Sequence, residues 1–127
     1  MNKFKNYFKN KKVIITGDTG FKGSWLALWL SMFGSKVLGL SNNIPSKPSH
    51  FSSINLSKKI IHKKIDIRNI KKLSTLFKKY QPDYVFHLAA QSLVSKSYKD
   101  PLYTWQTNTL GTMNILEALR QMNKKKN

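Results

Sequence analysis

Three glycines carry the first chemical signal in the chain. Gly17, Gly20 and Gly23 are spaced G-x-x-G-x-x-G, after the apolar run Val13-Ile14-Ile15 and before the largely apolar stretch 24–33. A strand, a glycine-rich turn and a helix in that order bring backbone N–H groups and a helix N-terminus to face a phosphate. Gly17 suits the tight turn after the strand, Gly20 the close approach of a pyrophosphate, and Gly23 close packing of the helix on the sheet. The spacing is not the G-x-G-x-x-G of the plain dinucleotide fingerprint. An ordinary glycine-rich βα loop would look similar. The strand before it and the apolar helix behind it favour dinucleotide binding.

Further residues fall where such a site needs them. Asp66 closes the third apolar run, where a carboxylate could accept from an adenine amino group or cap the following helix. Asn43 follows the second strand, where an acidic residue often grips ribose hydroxyls; an amide there binds more weakly. His87-Leu88-Ala89-Ala90-Gln91 ends with small residues that let a flat cofactor approach. His87 sits in an apolar strand and reads as a satisfied core histidine. His50 and His62 show no metal-ligand spacing with it. The segment Thr107 to Thr112 is small and polar, suited to packing on a cofactor loop or simply on another helix.

The elements that would position these residues alternate. A short basic, aromatic helix in residues 1–12 leads to a strand at 12–16, a helix at 24–33 stopped by Gly34, and a strand at 36–40. The helix is apolar almost all round, which predicts burial between layers. Pro45 and Pro48 predict irregular structure across 41–58. A strand at 60–65, an amphipathic helix at 69–80 and a buried strand at 84–88 follow. A loop at 89–99 leads to Asp100-Pro101, an N-cap with proline at N1. The last helix runs to about Met122, with Leu102, Trp105, Thr109, Thr112, Ile115, Leu116 and Leu119 as its expected inner face. This order predicts an α/β fold with a doubly wound parallel sheet and ligand at the strand C-terminal ends.

Composition limits the function classes. The 127 residues suffice for one small domain, and the apolar content of 40% is not that of a disordered chain. No cysteine is present, which fits a reducing, cytoplasmic setting and excludes thiolate metal sites. No secretory h-region and no run long enough to span a membrane are found. The net charge of +18 raises nucleic-acid binding as a reading. Against it, only Arg68 and Arg120 are arginines, and the lysines are scattered in pairs beside apolar segments as on a solvated face.

The motifs together resemble the extended short-chain dehydrogenase/reductase family, in its NAD-dependent epimerase/dehydratase branch. Thr16 to Gly23 matches T-G-x-x-G-x-x-G, with D-I-R at 66–68, H-L-A-A-Q at 87–91 and N-T-L-G-T at 108–112 in the family's order. F-K-G-S-W-L at 21–26 and K-P-S-x-F at 47–51 resemble the CDP-glucose 4,6-dehydratases within it. The resemblance implies a Rossmann-type domain over 1–127 and NAD contacts at Gly17, Gly20, Phe21, Lys22 and Gly23. It implies further contacts at Asn43, Asp66, Ile67, Leu88, Ala89, Ala90 and Ser92, and at Thr107 or Asn108.

For the complete enzyme it implies a homodimer that converts CDP-glucose to CDP-4-dehydro-6-deoxy-glucose. Another nucleotide-sugar epimerase or dehydratase, or a non-catalytic basic nucleotide- or nucleic-acid-binding module, are the alternatives. Two residues depart from the pattern: Asp18, where histidine is usual, could cap the helix or repel phosphate, and Asn43 replaces the acidic ribose ligand. No Tyr-x-x-x-Lys pair occurs in a plausible context. The expectation is therefore a sheet truncated before its fifth strand, without the sugar-nucleotide domain, and a chain that is inactive alone.

Overall fold

The computed structural model describes residues 2–123. Four parallel strands form one sheet in the order β3-β2-β1-β4. They are β1 (Lys12–Thr16), β2 (Lys36–Ser41), β3 (Ile61–Lys64) and β4 (Tyr84–His87). β1 is central: Ile14 stands opposite Leu38 of β2 and Val85 of β4. All of Val13, Ile14 and Ile15 are buried, as a strand covered on both faces requires. The expected α/β architecture is present.

Helices cover both faces. On one, α4 (Ile70–Tyr80) and the last helix place Leu73, Leu76, Phe77, Ile115 and Ala118 against Ile14, Leu38 and Leu40. On the other, α2 (Phe21–Met32) places Ala27 and Leu30 against Val13, Ile15 and Val37. The short α1 (Asn2–Phe8) docks beside β4 through Phe8, which packs edge-on to Tyr84, and through a bond from the Tyr84 hydroxyl to that of Tyr7. Gly34 takes φ +81° just past α2, the left-handed stop its position predicts.

Five expectations need correction. First, α2 begins at Phe21 rather than Ser24, so Gly23 lies in its first turn.

Second, α2 is not buried all round. Gly23, Ser24, Ala27 and Leu30 face inward, while Trp29 and Met32 are 56% and 68% exposed. An apolar sequence without a polar face leaves the helix phase undecided. Close approach to the sheet selects the small residues and turns the large ones outward.

Third, the 41–58 segment is not wholly irregular. α3 (His50–Ser53), capped by the Ser49 hydroxyl accepting from the Ser52 N–H, and a 3₁₀ turn at Leu56–Lys58 bury Phe51 and Leu56.

Fourth, 89–99 contains α5 (Val94–Lys99). β4 is also only half-buried, because it is a sheet edge among the described residues.

Fifth, the last helix is not uniform. α6 (Pro101–Trp105) passes into a π-helical turn (Gln106–Leu110) and then α7 (Gly111–Asn123). The wider turn shifts the helical phase. Thr107, Gly111, Ile115 and Ala118 face inward, while Leu102, Trp105, Thr109 and Leu116 are exposed. Asp100 caps α6, accepting from the Tyr103 N–H at 3.0 Å, as expected.

Gly111 fixes how closely the last helix approaches the strand ends. A Cβ there would lie 2.5 Å from Ile67 Cδ1 and 2.8 Å from its Cγ1. In an exposed helix, replacing glycine by alanine gains up to about 1 kcal/mol. Here Gly111→Ala is expected to destabilise by about 1–2 kcal/mol, because overpacking outweighs propensity. In an Ile67→Ala background the same change should become neutral or stabilising. Urea unfolding of the four proteins of this cycle checks it; additivity of the two substitutions would disprove the contact.

Candidate functional site

The C-terminal ends of the strands enclose a cavity of about 510 Å³, within the size range of small-molecule sites. Thirteen of the fourteen residues expected to bind cofactor line it: Gly17, Gly20, Phe21, Lys22, Gly23, Asn43, Asp66, Ile67, Leu88, Ala89, Ala90, Ser92 and Thr107.

Asn108 does not line it. Its side chain is spent on the loop after β4, with Oδ1 accepting from the Gln91 N–H at 2.8 Å and Nδ2 donating to the Gln91 carbonyl at 3.0 Å. Of the pair Thr107 or Asn108, the π turn presents Thr107 to the cavity. Gln91, Leu93, Lys96 and Tyr103 also line it. Sequence reading missed them because the helix that carries Lys96 was expected to be loop, and the phase of Tyr103 depends on the π turn.

The glycine turn forms one wall. Gly17 takes φ +77°, and a Cβ there would lie 2.8 Å from the Ala89 nitrogen and 2.9 Å from the Leu88 carbonyl. A Cβ on Gly23 would overlap the Gly17 carbonyl. Gly23 therefore packs on the turn itself, not on the sheet as expected. Gly20 has only the Gly17 carbonyl nearby, at 3.3 Å, and leaves space on the cavity side. It is the N-cap of α2, and no side chain caps that end. An uncapped helix start beside open space is suited to an anion.

Behind the turn, Thr16 and His87 join β1, β4 and the last helix. Thr16 Oγ1 lies 2.6 Å from His87 Nδ1 and accepts from the Leu88 and Ala89 N–H groups at 3.1 and 3.2 Å. His87 Nε2 lies 3.0 Å from Thr112 Oγ1, whose proton goes to the Asn108 carbonyl. One assignment satisfies every group. Nε2–H donates to Thr112, and the Thr16 hydroxyl donates to Nδ1. Burial holds the His87 pKa below its ordinary value, so the ring is neutral. It is the satisfied core histidine expected from sequence.

Asp18 neither caps α2 nor faces the cavity. It is fully buried, and its Oδ2 lies 2.7 Å from His62 Nδ1 on β3. Room for it comes from β2, where a Cβ on Gly39 would overlap its carboxylate. Burial raises the Asp18 pKa, and the His62 hydrogen bond opposes that rise.

Asp66 is gripped by Arg68 at 2.6 Å, and the same guanidinium lies 4.7 Å from the Tyr103 ring centre. The Arg68 hydrogen bond lowers the Asp66 pKa. The cap of α4 is Asn69, which accepts from the Lys72 N–H; Asp66 instead accepts from the Arg68 N–H at 2.9 Å.

Whether these residues fit a dinucleotide turns on what they leave unused. Thr107 is 8% exposed, and its hydroxyl has no partner. Thr107 lines the cavity, and its hydroxyl oxygen lies beneath that wall as a buried polar atom without the partner such groups ordinarily find. The same walls carry the uncapped helix start, the polar side chains Asn43, Gln91 and Ser92, and the charged Lys22, Asp66 and Lys96. Among the described residues no cluster of three metal-ligating side chains occurs, and no helix is long and apolar enough to cross a membrane.

Comparison with known proteins gives a consistent picture. The GDP-mannose 4,6 dehydratase family model matches residues 14–127. CDP-glucose 4,6-dehydratase of Salmonella typhimurium is 42% identical over 93% of this chain and 33% of its own length. CDP-paratose 2-epimerase of Salmonella typhi is 36% identical over 88% of this chain and 33% of its own. Among solved structures, an epimerase of Methanothermobacter thermautotrophicus superposes with a TM-score of 0.83 at 34% identity, over 96% of this chain and 35% of that one. The Thermus thermophilus UDP-glucose 4-epimerase complex with NAD gives 0.76 at 33% identity, over 88% and 34%. The chain spans about a third of the length of the relatives it matches.

Three outcomes follow for these polar groups. A histidine whose folded pKa is depressed contributes stability that is complete above its ordinary 6.5 and lost as pH falls through the folded value. Stability should therefore fall on acidification below about pH 6.5, and His87→Gln should flatten that slope in thermal melts. Thr16→Val, which takes the acceptor from the Ala89 N–H and the donor from His87 Nδ1 while the Leu88 N–H keeps the Thr16 carbonyl, should cost about 1–3 kcal/mol. The sign is opposite for Asp18. A carboxyl whose folded pKa is raised contributes most below its unfolded value of 3.8, and that contribution is lost as pH rises through the folded value. Asp18→Asn should raise the melting temperature near neutral pH, with the gain shrinking toward about pH 4; equal shifts at both pH values would contradict burial as the cause.

Proposed function

The chain belongs to the GDP-mannose 4,6 dehydratase family, and from that premise we propose that it is the NAD-binding portion of a sugar-nucleotide 4,6-dehydratase whose substrate is CDP-glucose. The observation that carries the reading is the wall formed by Gly17, Gly20 and the uncapped start of α2, with the unpartnered Thr107 hydroxyl on the same cavity. In this reading the first turn of α2 and Lys22 hold the pyrophosphate, Asn43 meets a ribose, and Asp66 with Ile67 borders the adenine. Ala89 and Ala90 supply flat, small surface, and Ser92 and Thr107 supply hydroxyls. NAD supplies a reversible hydride acceptor when bound. The similarity to a CDP-glucose 4,6-dehydratase, at 42% identity, supports that sugar nucleotide over others.

In this reading the residues of the cavity wall bind and orient the cofactor. The ionisable groups lining the cavity are Lys22, Asp66, Lys96 and Tyr103. Asp66 is committed to Arg68, and the Tyr103 ring carries the Arg68 guanidinium. The Asp66 carboxylate is therefore not free as the general base that loss of water from a sugar needs, and no other carboxylate among the described residues lines the cavity.

The 127-residue chain is expected to bind NAD, followed by calorimetry or by quenching of its tryptophan fluorescence. Gly17→Ala should abolish binding, since no Cβ fits between the turn and the Leu88–Ala89 backbone. Thr107→Val should weaken it by about 3- to 10-fold, the value of one neutral hydrogen bond, with folding unchanged by circular dichroism. Turnover of CDP-glucose by this chain alone would overturn the assignment of a purely binding role.

A further inference from the structure

Behind the glycine turn lies a buried acid that the cofactor reading leaves unused. Resting on the NAD reading above, we propose that Asp18 and His62 are a positioning pair for this turn, and that an anionic ligand on the turn and a proton on the pair favour each other.

The Asp18 side chain reaches across the sheet beneath the turn. It passes over β2 at Gly39, where a Cβ would overlap the carboxylate, and meets His62, which stands opposite Gly39 on β3. Two further bonds tie the turn to β2 and its end. The Gly17 N–H donates to the Leu40 carbonyl at 2.7 Å, and Thr19 Oγ1 donates to the Asn43 carbonyl at 2.6 Å. Gly17 and Thr19, on either side of Asp18, line the cavity, and Asp18 does not. The carboxylate therefore sits one layer behind the wall, in a buried setting where a charge acts with little screening.

The pair has two charge states. With Asp18 ionised and His62 neutral it is an anion. With one proton more it is neutral overall, whichever partner holds that proton. Asp18 is sealed from solvent, its Oδ1 has no partner, and His62 is the one charged group among the described residues that bears on it. His62 is 25% exposed, so the pair can exchange protons with water. Facing the imidazole are the Phe51 ring of α3, 5.2 Å away, and Gly39 of β2, neither of them ionisable. Lys64 shares its face of β3, and Lys58 lies on the 3₁₀ turn beside that strand; both are exposed. A pyrophosphate on the turn adds negative charge in front of the pair. The anionic pair opposes it, and the neutral pair does not. By linkage the ligand draws a proton onto the pair, and the proton tightens the ligand.

NAD is the probe, because its pyrophosphate gains and loses no proton near neutral pH. Calorimetry on the full chain from about pH 8 down to about pH 6, where histidines change charge, is expected to show affinity rising by about fivefold or more. The heat should vary with the ionisation enthalpy of the buffer, as net proton uptake requires. His62→Asn keeps a donor in place of Nδ1 and cannot take the proton, so its affinity should stay flat at the alkaline wild-type value. Asp18→Asn, expected above to be the more stable protein near neutral pH, removes the buried charge and should bind about threefold or more tighter than wild type at the alkaline end. His50→Gln, which changes the histidine bonded to Ser24 in the first turn of α2, should keep the wild-type slope. A pair that merely holds the turn in shape gives a different result: both pair variants bind more weakly at every pH, with the slope intact. That result overturns this inference and leaves the NAD reading standing. So does a flat wild-type profile, or a slope that survives His62→Asn or is lost in His50→Gln. Absence of NAD binding at every pH overturns the NAD reading and this inference with it.

Discussion

Gly17 passes so close to the Leu88–Ala89 backbone that no methyl group fits between them. Two strand ends, β1 and β4, are therefore locked at the distance of bare main chain. Thr16, one residue earlier, holds the same contact from the other side by accepting from the Leu88 and Ala89 N–H groups. Gly23 then packs against the Gly17 carbonyl, which sets where α2 starts and which way its N-terminus points. The cavity, the uncapped helix end and the position of the β4 loop all follow from this one close approach.

Polar groups near the site divide into two kinds. Thr16, His87, Thr112 and Asn108 satisfy one another and the backbone, and they leave no capacity for a ligand. A neutral, fully bonded histidine in the middle of such a set is a brace, joining two strands to the last helix. Thr107 is the contrasting kind, since its buried hydroxyl is left without a partner. The π turn at 106–110 makes the division. It carries Asn108 onto the Gln91 backbone and Thr107 toward the cavity, although the two are adjacent in sequence.

The Asp18–His62 pair illustrates how a departure from a family pattern can be absorbed. An acid inside a phosphate-facing turn would repel its ligand. Here the carboxylate turns inward, into space left by Gly39, and meets a histidine from β3. The carboxylate therefore does not line the cavity. At the end of β2 no such rearrangement occurs. Asn43 stays exposed on the cavity wall.

Local chemistry made much of this legible. The strands at β1 and β2, the left-handed stop at Gly34 and the Asp100 cap are properties of short sequence windows, where apolar runs and turn chemistry act over a few residues, while most of the thirteen cavity residues are implied by the family resemblance. The tertiary structure decided what depends on contacts between distant segments. It chose the phase of α2, because Ala27 and Leu30 fit against Val13 and Val37 and the tryptophans do not. It chose the inner face of the last helix, because a π turn displaced the register that uniform periodicity assumes. It sent Asp18 to His62, 44 residues away. Sequence spacing fixes which backbone groups can be offered to a ligand; which side chains remain free to meet it is set by the hydrogen bonds that distant segments have already claimed.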